Sequence, residues 1–178
     1  CTMKKKIAIL GTTGSIGKTL LKIISKNKNE TEIILLSANK NYKELLKQTT
    51  KFRVKNVIIT DYKSYCKFKN LNKNKSLKIY KNFNFFKKIF KKKVDYTMSS
   101  IVGLEGLSPT VDIIQHTKKI AIANKESIIC GWNIIKKKLK KYKTEFIPVD
   151  SEHFSAWYAI KNNKNIDINK IYLTASGG

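Results

Sequence analysis

Residues 6–17 constrain the fold more than any other part of the chain. The short branched run Lys6-Ile7-Ala8-Ile9-Leu10 breaks into Gly11-Thr12-Thr13-Gly14-Ser15-Ile16-Gly17, and behind that turn Leu20, Leu21, Ile23 and Ile24 recur at helical spacing. Strand, glycine turn and helix form the first unit of a dinucleotide-binding fold. The glycines there serve a tight turn, a close backbone approach to pyrophosphate, and close packing of helix on sheet. Phosphates at such a turn rest on the free amides of the helix N-terminus. The spacing is G-x-x-G-x-x-G rather than G-x-G-x-x-G, so its position after a first strand carries as much weight as the glycines themselves.

The following segments repeat the alternation of strand and helix. Glu32–Leu36 reads as a strand closing at Ser37-Ala38-Asn39-Lys40-Asn41, Tyr42–Lys51 as a helix, and Val54–Thr60 as a third strand. Between Asp61 and Lys93 the pattern gives a helix near Tyr62–Phe68, a strand at Leu77–Tyr80 and an aromatic, core-facing helix at Phe83–Phe90. Tyr96–Val102 reads as a strand entering the Gly103-Leu104-Glu105-Gly106 turn, followed by a helix from Leu107 to about His116, with Pro109 tolerated in its first turn. Lys119–Ala123 is a further strand, with a helix from Asn124 to Tyr142 behind it, and Glu145–Val149 is another apolar run. The expected class is α/β: a Rossmann-like, doubly wound, mostly parallel sheet over residues 1–149, with the beginning of a second, catalytic domain at 150–178. At 178 residues this fits the usual span of about 100–200 residues per domain.

Three positions bear on chemistry. An NAD-binding fold places Asp or Glu about 20 residues after the glycines to hold the ribose 2′-hydroxyl; this chain has Lys40 there, which attracts a phosphate and favours NADP, unless Lys40 is only a solvated surface group. Asn124-Lys125-Glu126-Ser127 leaves the carboxyl end of a strand on the same edge as the glycine turn, so donor, cation and acceptor converge there; the competing reading is a helix start capped by Asn124. Asp150 and Glu152, two apart around Ser151 and next to His153, project to one side of extended backbone and suit a hard divalent cation; alternatively Asp150 or Ser151 caps a helix with Glu152 in its first turn. His116, at a helix C-terminus, is expected at the surface, and Cys130 is expected as a small buried hydrophobe.

Composition excludes more than it identifies. The formal net charge is +25 with only 12 acidic residues and a pI near 10.0, which ordinarily raises nucleic acid as a partner. Arg53 is the lone arginine, however, and Arg is the residue of bidentate base and phosphate reading, so specific nucleic-acid recognition is not expected. Lys, Asn and Ile share A/T-rich codons, and codon bias alone would yield this composition. There is no apolar run of about 18 residues to span a membrane, and the apolar stretch after Lys4-Lys5-Lys6 is too short for a signal peptide. Cys1, Cys66 and Cys130 follow no paired-ligand pattern, consistent with reduced thiols in the cytoplasm, or in a plastid-like compartment if the source is eukaryotic.

Four stretches in order, Gly11–Gly17, Ala123-Asn-Lys-Glu-Ser127, Pro148-Val-Asp-Ser-Glu-His153 and Leu173-Thr-Ala-Ser-Gly-Gly178, closely resemble the 1-deoxy-D-xylulose 5-phosphate reductoisomerase family, and Ser100-Ile101-Val102-Gly103 is similar to a further turn of that family. The resemblance implies NADPH- and divalent-metal-dependent (Mg²⁺, Mn²⁺ or Co²⁺) rearrangement and reduction of a sugar phosphate to 2-C-methyl-D-erythritol 4-phosphate in non-mevalonate isoprenoid synthesis. It implies that Thr13, Gly14, Ser15 and Ile16 line the cofactor phosphates, that Lys40 and Asn41 lie near the 2′-phosphate, and that Asn124 and Glu126 border the cofactor. Lys125, Ser151, Glu152 and Ser176 would contact substrate, with Lys125 and Glu152 catalytic and Asp150 and Glu152 holding the metal. Asn39 stands where glycine is common in the family. The third metal carboxylate, the lid and the C-terminal helical domain follow the Ser-Gly-Gly turn in that family. The resemblance therefore implies an incomplete copy, inactive on its own and homodimeric at full length. Another NADP-dependent dehydrogenase, an inactive NADP-binding remnant and a basic nucleic-acid-binding protein are the competing readings.

Overall fold

The computed structural model describes residues 3–149 and Tyr158. Its centre is one seven-stranded sheet in which every adjacent pair runs parallel: β1 (Lys5–Leu10), β2 (Thr31–Ala38), β3 (Asn56–Ile59), β4 (Lys78–Tyr80), β5 (Val94–Ser99), β6 (Thr117–Ile122) and β7 (Glu145–Pro148). The strand order is β4-β3-β2-β1-β5-β6-β7. β2, β3 and β4 therefore build outward to one side of β1 and β5, β6 and β7 to the other, the doubly wound order with one extra edge strand. Parallel neighbours require crossovers, which are supplied by α1 (Ser15–Lys26), α2 (Tyr42–Phe52), α3 (Tyr62–Leu71), α4 (Phe86–Ile89), α5 (Leu107–Ile113) and α6 (Lys125–Tyr142).

Alternation along β1 shows how both faces are covered. Ile7 and Ile9 join a core with Leu21 and Ile24 of α1, Leu45 of α2 and Phe68 of α3. Ala8 and Leu10 face the opposite layer, with Phe86 of α4, Ile113 of α5 and Ile135 of α6. Ala8, Ile9 and Leu10 are wholly buried, as expected for the central strand of a sheet sandwiched between helices. The helix starts are capped as their sequences specify: the side chains of Asn41, Asp61 and Asn124 accept from the backbone N–H groups of Glu44, Ser64 and Ser127.

The doubly wound parallel sheet is as the sequence indicates, but three local readings are corrected. β5 stops at Ser99, and Val102 is 86% exposed: from residue 101 the carbonyls turn to the Asn124 side chain instead of a neighbouring strand. His116 is half-buried rather than free at the surface. α5 ends at Ile113 and tightens into the 3-10 turn Ile114–His116, which lays the imidazole against Phe90 (centroids 5.3 Å apart, stacked) and edge-on to Phe86. Its Nε2 is buried without a hydrogen-bond partner, and burial lowers the imidazole pKa, aided by Lys87. Cys130 is exposed, because the buried seam of α6 runs through Ser127, Gly131 and Ile135 and leaves position 130 off it. The aromatic segment at 83–90 does face the core, as a 3-10 turn (Phe83–Phe85) followed by the single turn of α4.

Candidate functional site

The chain reverses its direction of building between β1 and β5, and at their carboxyl ends a cleft of about 450 Å³ opens. This is the switch point at which open α/β sheets receive ligands. Its walls come from the glycine turn after β1 (Gly11, Thr13, Gly14), the end of β2 (Ser37, Ala38, Asn39), Thr60 after β3, and the loop after β5 (Ser100, Ile101, Val102, Glu105), with Phe83 at one side. Among the described residues Glu105 is the one carboxylate on that wall.

The turn is held from several directions. Gly11 has φ +78°, a conformation L side chains rarely adopt, and a Cβ there would sit 2.6 Å from the Ser100 carbonyl oxygen. Its N–H donates to Ser37 Oγ at 3.1 Å, and Ser100 closes the other side by donating its N–H and hydroxyl to the Leu10 carbonyl. Thr12 is completely buried: its N–H donates to the Ser37 carbonyl at 2.9 Å and its hydroxyl to Gln48 Oε1 at 3.0 Å, while its carbonyl accepts from Gln48 Nε2 at 3.3 Å. α1 lies tightly across this residue. A Cβ on Gly17 would stand 2.5 Å from Thr12 Cα and 2.6 Å from its carbonyl oxygen. With Thr12 pinned below, Gly14 caps α1 with no side-chain acceptor, so the first amides of α1 remain open on an exposed surface. Free amides and the positive end of a helix dipole favour an anion.

Thr13 is half-buried on the cleft wall, and Ser15 and Ile16 are exposed in the first turn of α1. Lys40 and Asn41 lie beyond β2 at the same edge; both are exposed, and Asn41 caps α2 by accepting from Glu44 N–H at 3.2 Å. Asn124 is 5% exposed, and its side-chain amide is fully engaged. It donates to the carbonyls of Ile101 (2.5 Å) and Gly103 (2.6 Å) and accepts from Ser127 N–H at 3.0 Å. Its side chain therefore shapes the 101–105 wall of the cleft. Lys125 and Glu126 are exposed at the start of α6. Asp150, Ser151, Glu152, His153 and Ser176 lie outside the described residues. Among the described residues no group of three or more His, Cys, Asp or Glu is gathered as for a metal ion, and no helix is long and apolar enough to cross a membrane.

A family model described as 1-deoxy-D-xylulose 5-phosphate reductoisomerase matches residues 7–131, and a second, described as the C-terminal domain of that enzyme, matches residues 146–178. The chain belongs to the 1-deoxy-D-xylulose 5-phosphate reductoisomerase family. A reductoisomerase of Pelagibacter ubique is 60% identical over 176 residues, which are 98% of this chain and 45% of that protein. The reductoisomerase of Zymomonas mobilis, solved in complex with NADPH, superposes with TM-score 0.79 at 30% identity over 86% of this chain and 40% of that one. Another reductoisomerase structure, in complex with NADPH, fosmidomycin and magnesium, superposes with TM-score 0.77 at 27% identity over 90% of this chain and 42% of that one. The chain thus spans less than half the length of the curated relatives it matches.

Sequence reasoning located the turn and the strand ends but missed Ser37, Gln48 and Ser100 as their supports. Ser37 did carry a signal, as a polar residue closing the buried apolar run of β2, whereas Gln48 shares the buried face of α2 with Leu45 and another polar residue, Thr49.

Proposed function

We propose that this chain supplies the NADPH-binding domain (1–149) and the opening of the catalytic domain (150–178) of an enzyme that converts 1-deoxy-D-xylulose 5-phosphate to 2-C-methyl-D-erythritol 4-phosphate. The observation that carries this is the cleft at the β1/β5 switch point, lined by a glycine turn that backbone contacts and buried hydrogen bonds hold open. The donor set suits a dinucleotide phosphate: amides at Thr13, Ser15 and Ile16 for the pyrophosphate, beside Gly14, whose own N–H donates to the Gly11 carbonyl, and Lys40 with Asn41 for a 2′-phosphate where Asn39 and Lys40 rather than a carboxylate directly follow β2. Asn124 sets the wall beside the nicotinamide end, and Glu126 borders it.

The relatives solved with NADPH and with magnesium support the same two requirements for this chain. A bound cofactor would supply the hydride, and a divalent metal held by Asp150 and Glu152 would supply Lewis acidity that lowers the pKa of a substrate hydroxyl. Lys125 would place an ammonium against developing oxyanion charge, and Ser151 and Ser176 would orient the substrate by hydrogen bonds. The same reading extends to a homodimeric assembly and a cytoplasmic location.

The test is fluorescence titration of the purified protein with NADPH and NADH, repeated for Lys40→Glu. Tighter binding of NADPH than of NADH, with the preference lost or reversed in the variant, is the expected outcome. Equal affinity for the two cofactors, or no binding of either, would overturn the reading.

A further inference from the structure

Gln48 belongs to α2, 36 residues from the glycine turn, and is 5% exposed on the face where Leu45 meets the core. A residue needed there only for packing would be a leucine or methionine, because a buried amide is costly unless its polar atoms are satisfied. Both N–H groups and the carbonyl oxygen of the Gln48 amide are engaged. Its Oε1 accepts the Thr12 hydroxyl, and its Nε2 donates to the Thr12 carbonyl and to Glu44 Oε1 at 3.1 Å. Two of these bonds grip a single residue, Thr12, which is wholly buried and is not among the residues lining the cleft. Thr12 is thereby fixed on both its side-chain and backbone oxygens, and α1 closes over it at Gly17.

The grip has a direction. With Thr12 fixed, Thr13 and Gly14 on the cleft wall and the exposed first turn of α1 beside them are held in place, so the binding of a pyrophosphate does not have to order the turn. The other end of α2 needs no help from Gln48: Asn41 caps the helix through the backbone N–H of Glu44, a bond that does not pass through the Gln48 amide.

We propose that Gln48 is a positioning residue that preorganises the glycine turn for the pyrophosphate of the dinucleotide, acting through Thr12 and leaving the 2′-phosphate end of the site untouched. The inference rests on the cofactor reading given above.

The experiment compares the unaltered protein with Gln48→Met, Thr12→Val and Thr12→Ser, each well below its own unfolding temperature, by titrating NADPH and, separately, adenosine 2′-phosphate, which lacks the pyrophosphate. Loss of one to two net hydrogen bonds predicts roughly tenfold weaker NADPH binding in Gln48→Met and Thr12→Val. Thr12→Ser keeps the hydroxyl and is expected within about twofold of the unaltered protein. Adenosine 2′-phosphate is expected to bind all four proteins alike. Equal weakening of both ligands, or NADPH affinity unchanged in Gln48→Met and Thr12→Val, would overturn the inference alone. Absence of NADPH binding in the unaltered protein would overturn the cofactor reading and the inference with it. Should Gln48→Met fail to fold, the Thr12→Val and Thr12→Ser pair decides by the same criteria.

Discussion

Gly17→Ala tests how closely α1 is pressed onto the turn. The added Cβ would lie 2.5 Å from Thr12 Cα, 2.6 Å from the Thr12 carbonyl oxygen and 2.7 Å from that of Gly11, against 3.4–4 Å for ordinary contact. All three neighbours are backbone atoms, so no rotamer change relieves them. α1 must lift by the better part of an ångström, and with it Leu21 and Ile24, which share its buried face and belong to the core beneath. Overpacking of this kind costs at the upper end of its usual range, about 3 kcal/mol, offset by about 1 kcal/mol for alanine over glycine in a helix. The net loss of about 2 kcal/mol corresponds to a fall of roughly 4–8 °C in the thermal midpoint for a chain of this size. Gly131→Ala is the matched control. Its Cβ would meet Leu107 Cδ1 at 2.2 Å, but that is the end of a side chain able to take another rotamer, so overpacking there comes out near the helix gain and the midpoint stays within roughly 3 °C. The assay is thermal unfolding followed by circular dichroism. A Gly17→Ala midpoint at or above that of the unaltered protein would refute the close approach of α1 to Thr12.

Asn124→Asp keeps the cap of α6 but turns a donor into an acceptor against the carbonyls of Ile101 and Gly103; NADPH affinity should fall about tenfold as the 101–105 wall moves, and unchanged affinity in a titration would count against that wall shaping the site. His116 makes stability depend on pH. Burial depresses its pKa below 6.5, so the unfolded chain takes up the proton first as pH falls; stability is full above about 6.5 and is lost below it until the folded-state pKa is passed. Midpoints measured from about pH 7.5 down to 5.5 should therefore fall more steeply for the unaltered protein than for His116→Leu, and parallel curves would contradict the burial of that ring.

Much of this fold was legible because the sequence obeys local rules consistently. Asn41, Asp61 and Asn124 mark helix starts through cap chemistry that acts within three residues, and the branched runs at 6–10 and 119–123 could only be covered strands. The misreadings fall where a distant partner decides. Val102 has strand-like chemistry, yet the Asn124 side chain draws the preceding carbonyl away from the sheet. His116 looked like a polar helix end, but Phe86 and Phe90, about 30 residues earlier in the chain, take up its ring. The glycine turn was recognisable as a phosphate cradle, whereas its clasp by Gln48 was not, since nothing in the local sequence connects positions 12 and 48.

The strand order also governs how the molecule comes into being. β1, β2 and β3 each pair with the next strand in sequence, but the junction that creates the cleft matches Leu10 with Ser99, so a loop of some 90 residues must close before the site exists. Contacts of such long range form late in folding, because the chain entropy lost in closing the loop is recovered only once both half-sheets are in place. A ligand in this cleft therefore meets an already assembled chain, and whatever binds there raises the apparent stability of the whole sheet by mass action, rather than that of the first four strands alone.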